Sequence, residues 1–322
     1  MKILITGVAG LIGSHLSRYL LEKGHAIVGI DNLSGGYKEY IDKRVEFHKF
    51  DLNNIEILEK VFANTKPDFV YHLAAYAAEG LSPFIRNFNY NNNLICSVNV
   101  INECIKHDVK KIIFTSSMAV YGAGKAPFKE SDLPSPTDPY GISKLAVEMD
   151  LRQAFEQFGL KYSIVRPHNV VGIYQNIWDK YRNVIGIWTR QTLSKKPITI
   201  FGDGTQKRAF TDVKYIMEPM EKLMTTDCVV CNIGSDKFYT ISEVANMFKS
   251  MGAKVIHIEK RHEVKNAYCD HGKAKKLLGF TDKTDVPTLI KNMFGWARKE
   301  PNRKTKIMKY EIEKNMYESW KK

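Results

Sequence analysis

Two side chains near the middle of the chain have a spacing suited to proton transfer. Tyr140 and Lys144 stand four residues apart, so they share one face of a helix. A free tyrosine has a pKa of about 10, too high for a base at neutral pH. An adjacent ammonium group lowers that pKa because it favours the phenolate. The pair therefore predicts a tyrosine base with a supporting lysine, although Tyr-x-x-x-Lys alone is common by chance.

A run of small hydroxyl side chains stands just upstream, in the segment from Thr115 to Gly122. It directly follows an apolar run that predicts a strand. Doubly wound sheets bind their ligands at the carboxyl ends of strands. We therefore expect the hydroxyl group of Ser117 to form a hydrogen bond with a reacting oxygen.

The amino terminus carries three glycines at regular spacing, Gly7, Gly10 and Gly13, between a predicted strand and a predicted helix. Such glycines allow a tight turn, a close approach of backbone to a pyrophosphate, and close packing of helix on strand. Asp31 ends the second predicted strand, where an acid accepts hydrogen bonds from an adenosine ribose and repels a 2′-phosphate. The pattern predicts a dinucleotide site that prefers NAD to NADP.

Short apolar runs alternate with helix-period stretches through the first half of the chain, which predicts a doubly wound parallel sheet of the α/β class with helices on both faces. We expect a dinucleotide-binding domain over residues 1–168 and a smaller α/β lobe over residues 169–322, with segments of the lobe crossing back. The predicted strands are Ile3 to Ile5, Ala26 to Ile30, Val45 to Phe50, Phe69 to Leu73, Ile112 to Thr115 and Tyr162 to Val165; helices are expected near Ile241 to Met251, Lys273 to Leu278 and Val286 to Arg298.

Composition sets further bounds. The chain has 322 residues, of which 44% are hydrophobic, and it lacks an apolar run of the length of about 18 to 20 residues that a membrane span needs. Five scattered cysteines without a secretion signal favour a reducing cytosol over a disulfide framework. Cys228 and Cys231 are interpreted as strand residues, and no histidine has the spacing of a metal site. We expect no metal.

The formal net charge of +13 suits an anionic partner. Part of the excess lies between Arg298 and Lys322, where nine basic residues face four acidic ones. The favoured interpretation of this tail is a solvated helix, and the alternative is a nucleic-acid contact.

Taken together, these motifs resemble the extended short-chain dehydrogenase/reductase superfamily over nearly the whole chain, and within it the nucleotide-sugar 4-epimerases. The resemblance also uses His72 to Ala75, Asn93 and the segment from Arg166 to Asn169. It implies catalytic roles for Ser117, Tyr140 and Lys144. It further implies that NAD is held by Gly7, Gly10, Leu11, Ile12, Gly13, Asp31, Asn32, Asp51, Leu52, Leu73, Ala74, Ala75, Asn93, Tyr140, Lys144 and Pro167.

The same resemblance implies a substrate site. Its residues are expected to be Ser117, Met118, Asn169, Asn183, Arg208, Ala267 and either Lys260 or Arg261, with Arg261 preferred. The segment from Gly202 to Arg208 resembles the sugar-nucleotide loop of the family. A small side chain at Ala267, where hexose-only epimerases resemble one another in having a bulky one, would admit an N-acetyl group.

Departures from the family patterns narrow the reaction. Related dehydratases have Asp-Glu after the catalytic Ser or Thr, and related decarboxylases rely on the Glu, but this chain has Met118 and Ala119. Neither side chain can move a proton. Val171-Gly172-Ile173 also replaces the common Tyr-Gly-Pro, which affects the local sugar contacts.

The sequence therefore predicts a redox-neutral, NAD-dependent 4-epimerase of a UDP-hexose, working as a homodimer through the helices over Asn91 to Lys106 and Tyr140 to Phe158. The sequence does not determine the nucleobase or the sugar of the substrate. The candidate sugars include N-acetyl forms and a uronate. The alternatives are another enzyme of the superfamily, such as a reductase, dehydrogenase or uronate epimerase, and a non-catalytic nucleotide- or RNA-binding module. Nucleic acid and membrane are not expected partners.

Overall fold

The apolar runs form the strands of a central parallel sheet. A computed structural model describes residues 1–321. The strands are β1 (Lys2–Thr6), β2 (Ala26–Ile30), β3 (Glu46–His48), β4 (Phe69–His72), β5 (Lys111–Thr115), β6 (Tyr162–Pro167), β7 (Val170–Val171), β8 (Ile198–Phe201), β9 (Lys207–Ala209), β10 (Thr211–Asp212), β11 (Val229–Ile233), β12 (Phe238–Thr240), β13 (Val255–Ile258) and β14 (Asn266–Ala267).

Helices cover both faces of this sheet and build the smaller lobe. They are α1 (Leu11–Glu22), α2 (Ile55–Thr65), α3 (Arg86–Tyr90), α4 (Cys96–Lys106), α5 (Pro139–Phe158), α6 (Val184–Leu193), α7 (Met217–Lys222), α8 (Ile241–Lys249), α9 (Gly272–Leu278), α10 (Val286–Ala297) and α11 (Glu318–Lys321). A π-helical turn at Asn91–Ile95 joins α3 to α4. Within residues 1–321, none of these helices has the length and apolar character to cross a membrane.

The order of the strands in the main sheet is β11-β6-β5-β4-β1-β2-β3, and all neighbours are parallel. Its central strands are buried along nearly their whole length, with one apolar cluster on each face. The predicted doubly wound α/β fold is confirmed. β11 lies at one edge of the sheet although it follows residue 168, while the division into two domains at that residue stays a prediction.

The smaller lobe has a core of its own, in which α6, α8 and α10 pack around β8. β8 pairs with β13, and β9 lies between β12 and β14. This lobe places β9 and the loop before β14 opposite the carboxyl ends of the main strands.

The basic tail is not a solvated helix, so that expectation was wrong. After α10 ends at Ala297, only the short α11 is helical within the described residues. Met316 and Trp320 are buried in an aromatic cluster with Phe84 and Tyr181. The tail folds back onto the protein because these apolar side chains have a cluster to enter.

Helix α5 is fixed at both ends and in the middle. Asp138 caps its first turn by accepting a hydrogen bond from the backbone N–H of Gly141 at 2.9 Å, and Gly159 ends it at a φ of 75°. In the interior, the Glu148 carboxylate accepts hydrogen bonds from Arg166 Nε at 2.9 Å and from Ser116 Oγ at 2.5 Å. This network joins α5 to β6 and to the loop after β5.

Replacing Glu148 with alanine leaves the Arg166 guanidinium buried without its counter-ion. We expect Glu148→Ala to lower the free energy of unfolding by about 3 to 5 kcal/mol. Urea denaturation followed by circular dichroism measures the change. Glu156→Ala, at an exposed site on the same helix, is the control and should change stability by about 0.5 kcal/mol or less. Equal losses in the two variants would contradict the role of the ion pair.

Candidate functional site

A cleft of about 730 Å³ lies at the carboxyl ends of β1, β4, β5 and β6, between the sheet and the smaller lobe. Many residues predicted from the sequence lie together in its wall. They are Gly7, Gly10, Leu11, Ile12, Gly13, Leu73, Ala75, Ser117, Tyr140, Lys144, Pro167, Asn169, Asn183, Arg208 and Arg261.

The glycine turn has the geometry that a close backbone approach requires. Gly7 has a φ of 73°, in the left-handed region, and a Cβ on Gly13 would lie 2.2 Å from the carbonyl oxygen of Gly7. Gly10 precedes α1 and provides no side-chain cap, so within residues 1–321 the first amide groups of the helix have no capping side chain. Free amides at a helix N-terminus bind phosphates well. These residues therefore fit a dinucleotide pyrophosphate.

Asp31 lies at the end of β2, beside this turn. Its carboxylate accepts hydrogen bonds from the backbone N–H groups of Ala9 at 3.0 Å and Leu33 at 2.7 Å. Burial raises the pKa of the Asp31 carboxyl, and the two hydrogen bonds oppose that rise. Asn32 donates to Asp51 Oδ2 at 2.8 Å, so the two loops that follow β2 and β3 are tied together.

Tyr140 and Lys144 lie on the inner face of α5, as their spacing predicts, and both are buried. The hydroxyl group of Ser117 lies close enough to the Tyr140 phenol to lower its pKa, and it accepts a hydrogen bond from the backbone N–H of Ala119 at 3.1 Å. Lys144 Nζ donates to the carbonyl oxygen of Thr115 at 2.8 Å and lies 5.9 Å from the centre of the Tyr140 ring. The three predicted catalytic side chains thus meet at one point of the cleft.

The pKa of Tyr140 is shifted in the opposite direction to the one that the sequence predicts. Burial raises the pKa of Tyr140 above its ordinary value, and the nearby Glu79 carboxylate raises it further, whereas the hydrogen bond from Ser117 lowers it. Burial also lowers the pKa of Lys144 to about 8. Burial therefore outweighs the lowering of the Tyr140 pKa that the spacing to Lys144 predicts.

The smaller lobe contributes paired cations. Arg208 Nη2 lies 2.7 Å from Glu263 Oε2, and Arg261 Nη2 lies 3.0 Å from the same oxygen. The guanidinium of Arg261 also stacks over the ring of Phe201, 4.6 Å from its centre. Arg261, rather than Lys260, lies in the wall of the cleft. Arg208 Nη1 also donates to the carbonyl oxygen of Lys207 at 2.8 Å, so its guanidinium is held in place. Two arginines that share one glutamate leave a net positive charge in this wall, which suits an anion.

Other predicted residues do not line this cleft. Asn93 holds the loop after β4 by accepting from Tyr76 N at 2.8 Å and donating to the Tyr76 carbonyl oxygen at 3.2 Å. Met118 and Ala267 are buried together in an apolar cluster behind the cleft. The predicted residues outside the wall are Asp31, Asn32, Asp51, Leu52, Ala74, Asn93, Met118 and Ala267; their roles in binding stay predictions.

The cleft also contains residues that sequence reasoning missed. Glu79, in the turn after β4, belongs to no motif and carried no signal except its position after His72 to Ala75. The segment 312–317 of the tail lies across the wall of the cleft, and Tyr317 accepts a hydrogen bond from the backbone N–H of His262 at 3.0 Å. Other missed residues of the wall are Asp138, Tyr181, Arg182, Glu263, Lys314 and Asn315.

Comparison with known proteins agrees with this geometry. Residues 3–234 match the model of the NAD dependent epimerase/dehydratase family. The chain belongs to that family. Its match covers the whole glycine turn, the helix with Tyr140 and the main sheet, so the prediction of an NAD-dependent epimerase enzyme is confirmed.

Individual relatives agree over nearly the full chain. The UDP-glucose 4-epimerase of Halalkalibacterium halodurans is 29% identical, with 94% of this chain and 97% of the relative covered. A crystal structure of UDP-glucose 4-epimerase from Thermotoga maritima with UDP-glucose is 32% identical with a TM-score of 0.89, and 93% of this chain and 99% of that chain are covered. UDP-glucuronic acid 4-epimerase from Bacillus cereus, in complex with UDP-glucuronic acid and NAD, is 28% identical with a TM-score of 0.84, and 92% and 99% are covered.

Two histidines of the predicted motifs, His72 and His168, are buried. His72 bridges Thr6 Oγ1 at 2.7 Å and Ser97 Oγ at 2.8 Å, and burial lowers its pKa to about 3. His168 is also buried, with a pKa of about 3 for the same reason. Within residues 1–321 no group of three or more His, Cys, Asp or Glu side chains has the arrangement of a metal site.

Asp31 provides a test of the dinucleotide site in the epimerase. We expect Asp31→Asn to weaken retention of NAD roughly tenfold or more, because the amide is a weaker acceptor for ribose hydroxyls than the carboxylate. NADP binding should improve relative to NAD. Dinucleotide released by heat from the purified protein is measured, with Asp108→Asn in an exposed turn as control. Unchanged NAD content and selectivity would contradict the assignment.

Proposed function

We propose that the protein is a redox-neutral 4-epimerase of a UDP-hexose. The observation that carries the proposal is the meeting of Ser117, Tyr140 and Lys144 in one cleft with the glycine turn and the arginine pair. Relatives of similar length that carry the name UDP-glucose 4-epimerase support it. The residues assigned to NAD and to the sugar nucleotide in the sequence are part of this proposal.

The glycine turn and Asp31 would hold NAD, which would supply a hydride acceptor and donor for C4 of the sugar and a positive charge. Tyr140 takes the proton of the 4-hydroxyl group and later returns it. Ser117 holds the sugar oxygen by a hydrogen bond. Lys144 is fixed by Thr115 and keeps a cation close to the ring of Tyr140.

The arginine pair suits the diphosphate of the substrate. Arg208 and Arg261 already share Glu263, so their side chains are ordered before a ligand arrives. Asn183 caps α6 by accepting from Ile185 N at 3.0 Å, and it donates to the carbonyl oxygen of Val170 at 3.2 Å. The diphosphate therefore meets a rigid, cationic wall in the smaller lobe.

Competing reactions lack their proton carriers. Met118 and Ala119 stand where loss of water would need an acid and a base, and Met118 is buried among apolar side chains. A net dehydrogenase or reductase is distinguished by measuring coenzyme turnover. Product analysis by NMR from UDP-glucose, UDP-galactose, their N-acetyl forms and UDP-glucuronate tests the proposal. A 4-epimer formed without net NADH supports it, whereas net coenzyme consumption or a different product overturns it.

Tyr140 tests the proton transfer. We expect Tyr140→Phe to lower kcat by about 10² to 10⁴ because the proton carrier at O4 is removed. The bound NAD should stay, since the ring remains in place. Turnover is followed by NMR and dinucleotide content by release on heating. Near-normal turnover in this variant would remove Tyr140 from the mechanism.

The proposal includes a homodimer. Ile142 and Met149 lie seven residues apart on the outer face of α5 and are 42% and 57% exposed, and Ile95 on the neighbouring helix is 46% exposed. Apolar side chains at this spacing form a stripe that two copies could bury against each other. This is the pair of helices that the sequence analysis selected for association.

Met149 tests the dimer. We expect Met149→Glu to shift the protein from dimer to monomer, because the interface would bury an unpaired charge. Sedimentation velocity measures the change, with Ala63→Glu at an exposed position of α2 as control. A wild-type monomer, or a dimer unaffected by Met149→Glu, would exclude this interface.

A reducing compartment such as the cytosol is also part of the proposal. Its support is that all five cysteines are free and four of them are buried.

A further inference from the structure

Glu79 is a charged side chain in the cleft that the mechanism above does not use. It begins a short 3₁₀ turn, Glu79–Phe84, immediately after the loop that follows β4. Protein atoms surround Glu79 on several sides, but its side chain is exposed to the solvent of the open cleft, where it lines the same space as Tyr140. Within residues 1–321 it has no hydrogen-bond or ion-pair partner. It is therefore available to a ligand.

Hydrogen bonds fix the position of the Glu79 turn relative to Tyr140. The Ser82 hydroxyl group lies 2.8 Å from the carbonyl oxygen of Glu79 and 3.3 Å from Asp138 Oδ1, and it accepts from the backbone N–H of Tyr140 at 3.2 Å. One hydroxyl group thus joins the turn of Glu79 to the first turn of α5. The Glu79 carboxylate is close enough to Tyr140 to raise its pKa.

On the side that faces Tyr140, the charged neighbour of Glu79 is another carboxylate, that of Asp138. Burial and the neighbouring Asp138 carboxylate raise the pKa of the Glu79 carboxyl to about 7, and burial raises that of Asp138. Arg208 and Arg261 partly oppose the rise for Glu79, but the proposed function assigns both of them to the diphosphate.

A further cation of the cleft wall is also engaged. Arg182 Nε lies 3.2 Å from Asp179 Oδ2, and its guanidinium is stacked 4.5 Å from the centre of the Tyr76 ring. The remaining lysine at the mouth, Lys314, is exposed to solvent, which screens its charge. An anionic group on the sugar would therefore face the carboxylates of Glu79 and Asp138, whereas the three arginines Arg182, Arg208 and Arg261 each already lie against a protein carboxylate.

We propose that Glu79 is a specificity-determining residue that accepts a hydrogen bond from a hydroxyl group of the sugar and excludes a sugar carboxylate. The substrate class is then a neutral UDP-hexose rather than a UDP-uronate. This inference rests on the proposed function, and it adds a residue and a selection rule to it. Like charges brought together in a binding cleft disfavour the wrong ligand.

The test compares UDP-glucose with UDP-glucuronate on the holoenzyme. We expect wild type to prefer UDP-glucose in kcat/KM by about a hundredfold, and Glu79→Gln to reduce that preference about tenfold or more. Glutamine has the same shape, lacks the charge and can still bond a hydroxyl. Glu79→Asp keeps the charge and should retain the exclusion of the uronate. Glu56→Gln, exposed on α2 outside the cleft wall, is the matched control.

Binding measured by calorimetry gives a readout that does not depend on turnover. The Kd for UDP-glucuronate divided by the Kd for UDP-glucose should fall as the pH drops from 8 to 6, because the Glu79 carboxyl gains a proton in that range. This pH dependence should be absent in Glu79→Gln. The ratio removes effects common to both ligands. The other titratable or charged groups that face this region are Tyr140, Asp138 and Lys144 on and near α5, Arg182, Arg208, Arg261, His262, Glu263 and Lys314.

The outcomes separate the two proposals. Equal or better use of UDP-glucuronate by wild type, or a Glu79→Gln variant that changes both ligands equally, overturns the inference about Glu79. Absence of 4-epimerisation with every sugar nucleotide overturns the proposed function, and the Kd ratio then still decides the inference. A preference for UDP-glucose that depends on pH and on the charge at residue 79 supports it.

Discussion

Glu148 and Arg166 form an ion pair in the interior, between the helix that carries Tyr140 and the strand that leads to Asn169. Two charges at such depth are stable only together, so they hold α5 and β6 in a single relative position. The same carboxylate binds Ser116, next to Ser117. The mutual placement of the phenol and the serine thus follows from one buried carboxylate. Chemistry at the cleft depends on a contact that no ligand touches.

Much of the fold could be predicted because its signals are local. Apolar runs and glycine stops give β1, α1 and β2 within a residue or two of their bounds, since each element is specified by its own segment. The tail had no such signal. Its many lysines indicate a solvated surface, whereas its position is set by Met316 and Trp320 in contact with residues more than 200 positions earlier, such as Phe84. Long-range packing of this kind is not written in local periodicity.

The candidate site divides in the same way. Gly13, Tyr140 and Arg208 belong to motifs with fixed spacing, and the structure brings them to one cleft. Glu79 belongs to none, and only the folded chain shows that its carboxylate opens beside Tyr140. The pKa of Tyr140 also could not be predicted from the sequence. The spacing to Lys144 indicates a lowered pKa, but burial, which depends on the whole fold, raises it and is the larger effect.

The wall of the cleft draws on residues from Gly7 to Tyr317, and this has a consequence for biosynthesis. The strands β1 to β6 and the glycine turn are complete by Pro167, about 150 residues before Tyr317. At about 5 to 20 residues per second, a translating ribosome needs roughly 8 to 30 s to cover that distance. The nascent chain therefore contains the glycine turn and six of the seven strands of the main sheet well before the tail arrives to complete the cleft wall. The proposed cofactor site can form before the proposed substrate site is complete.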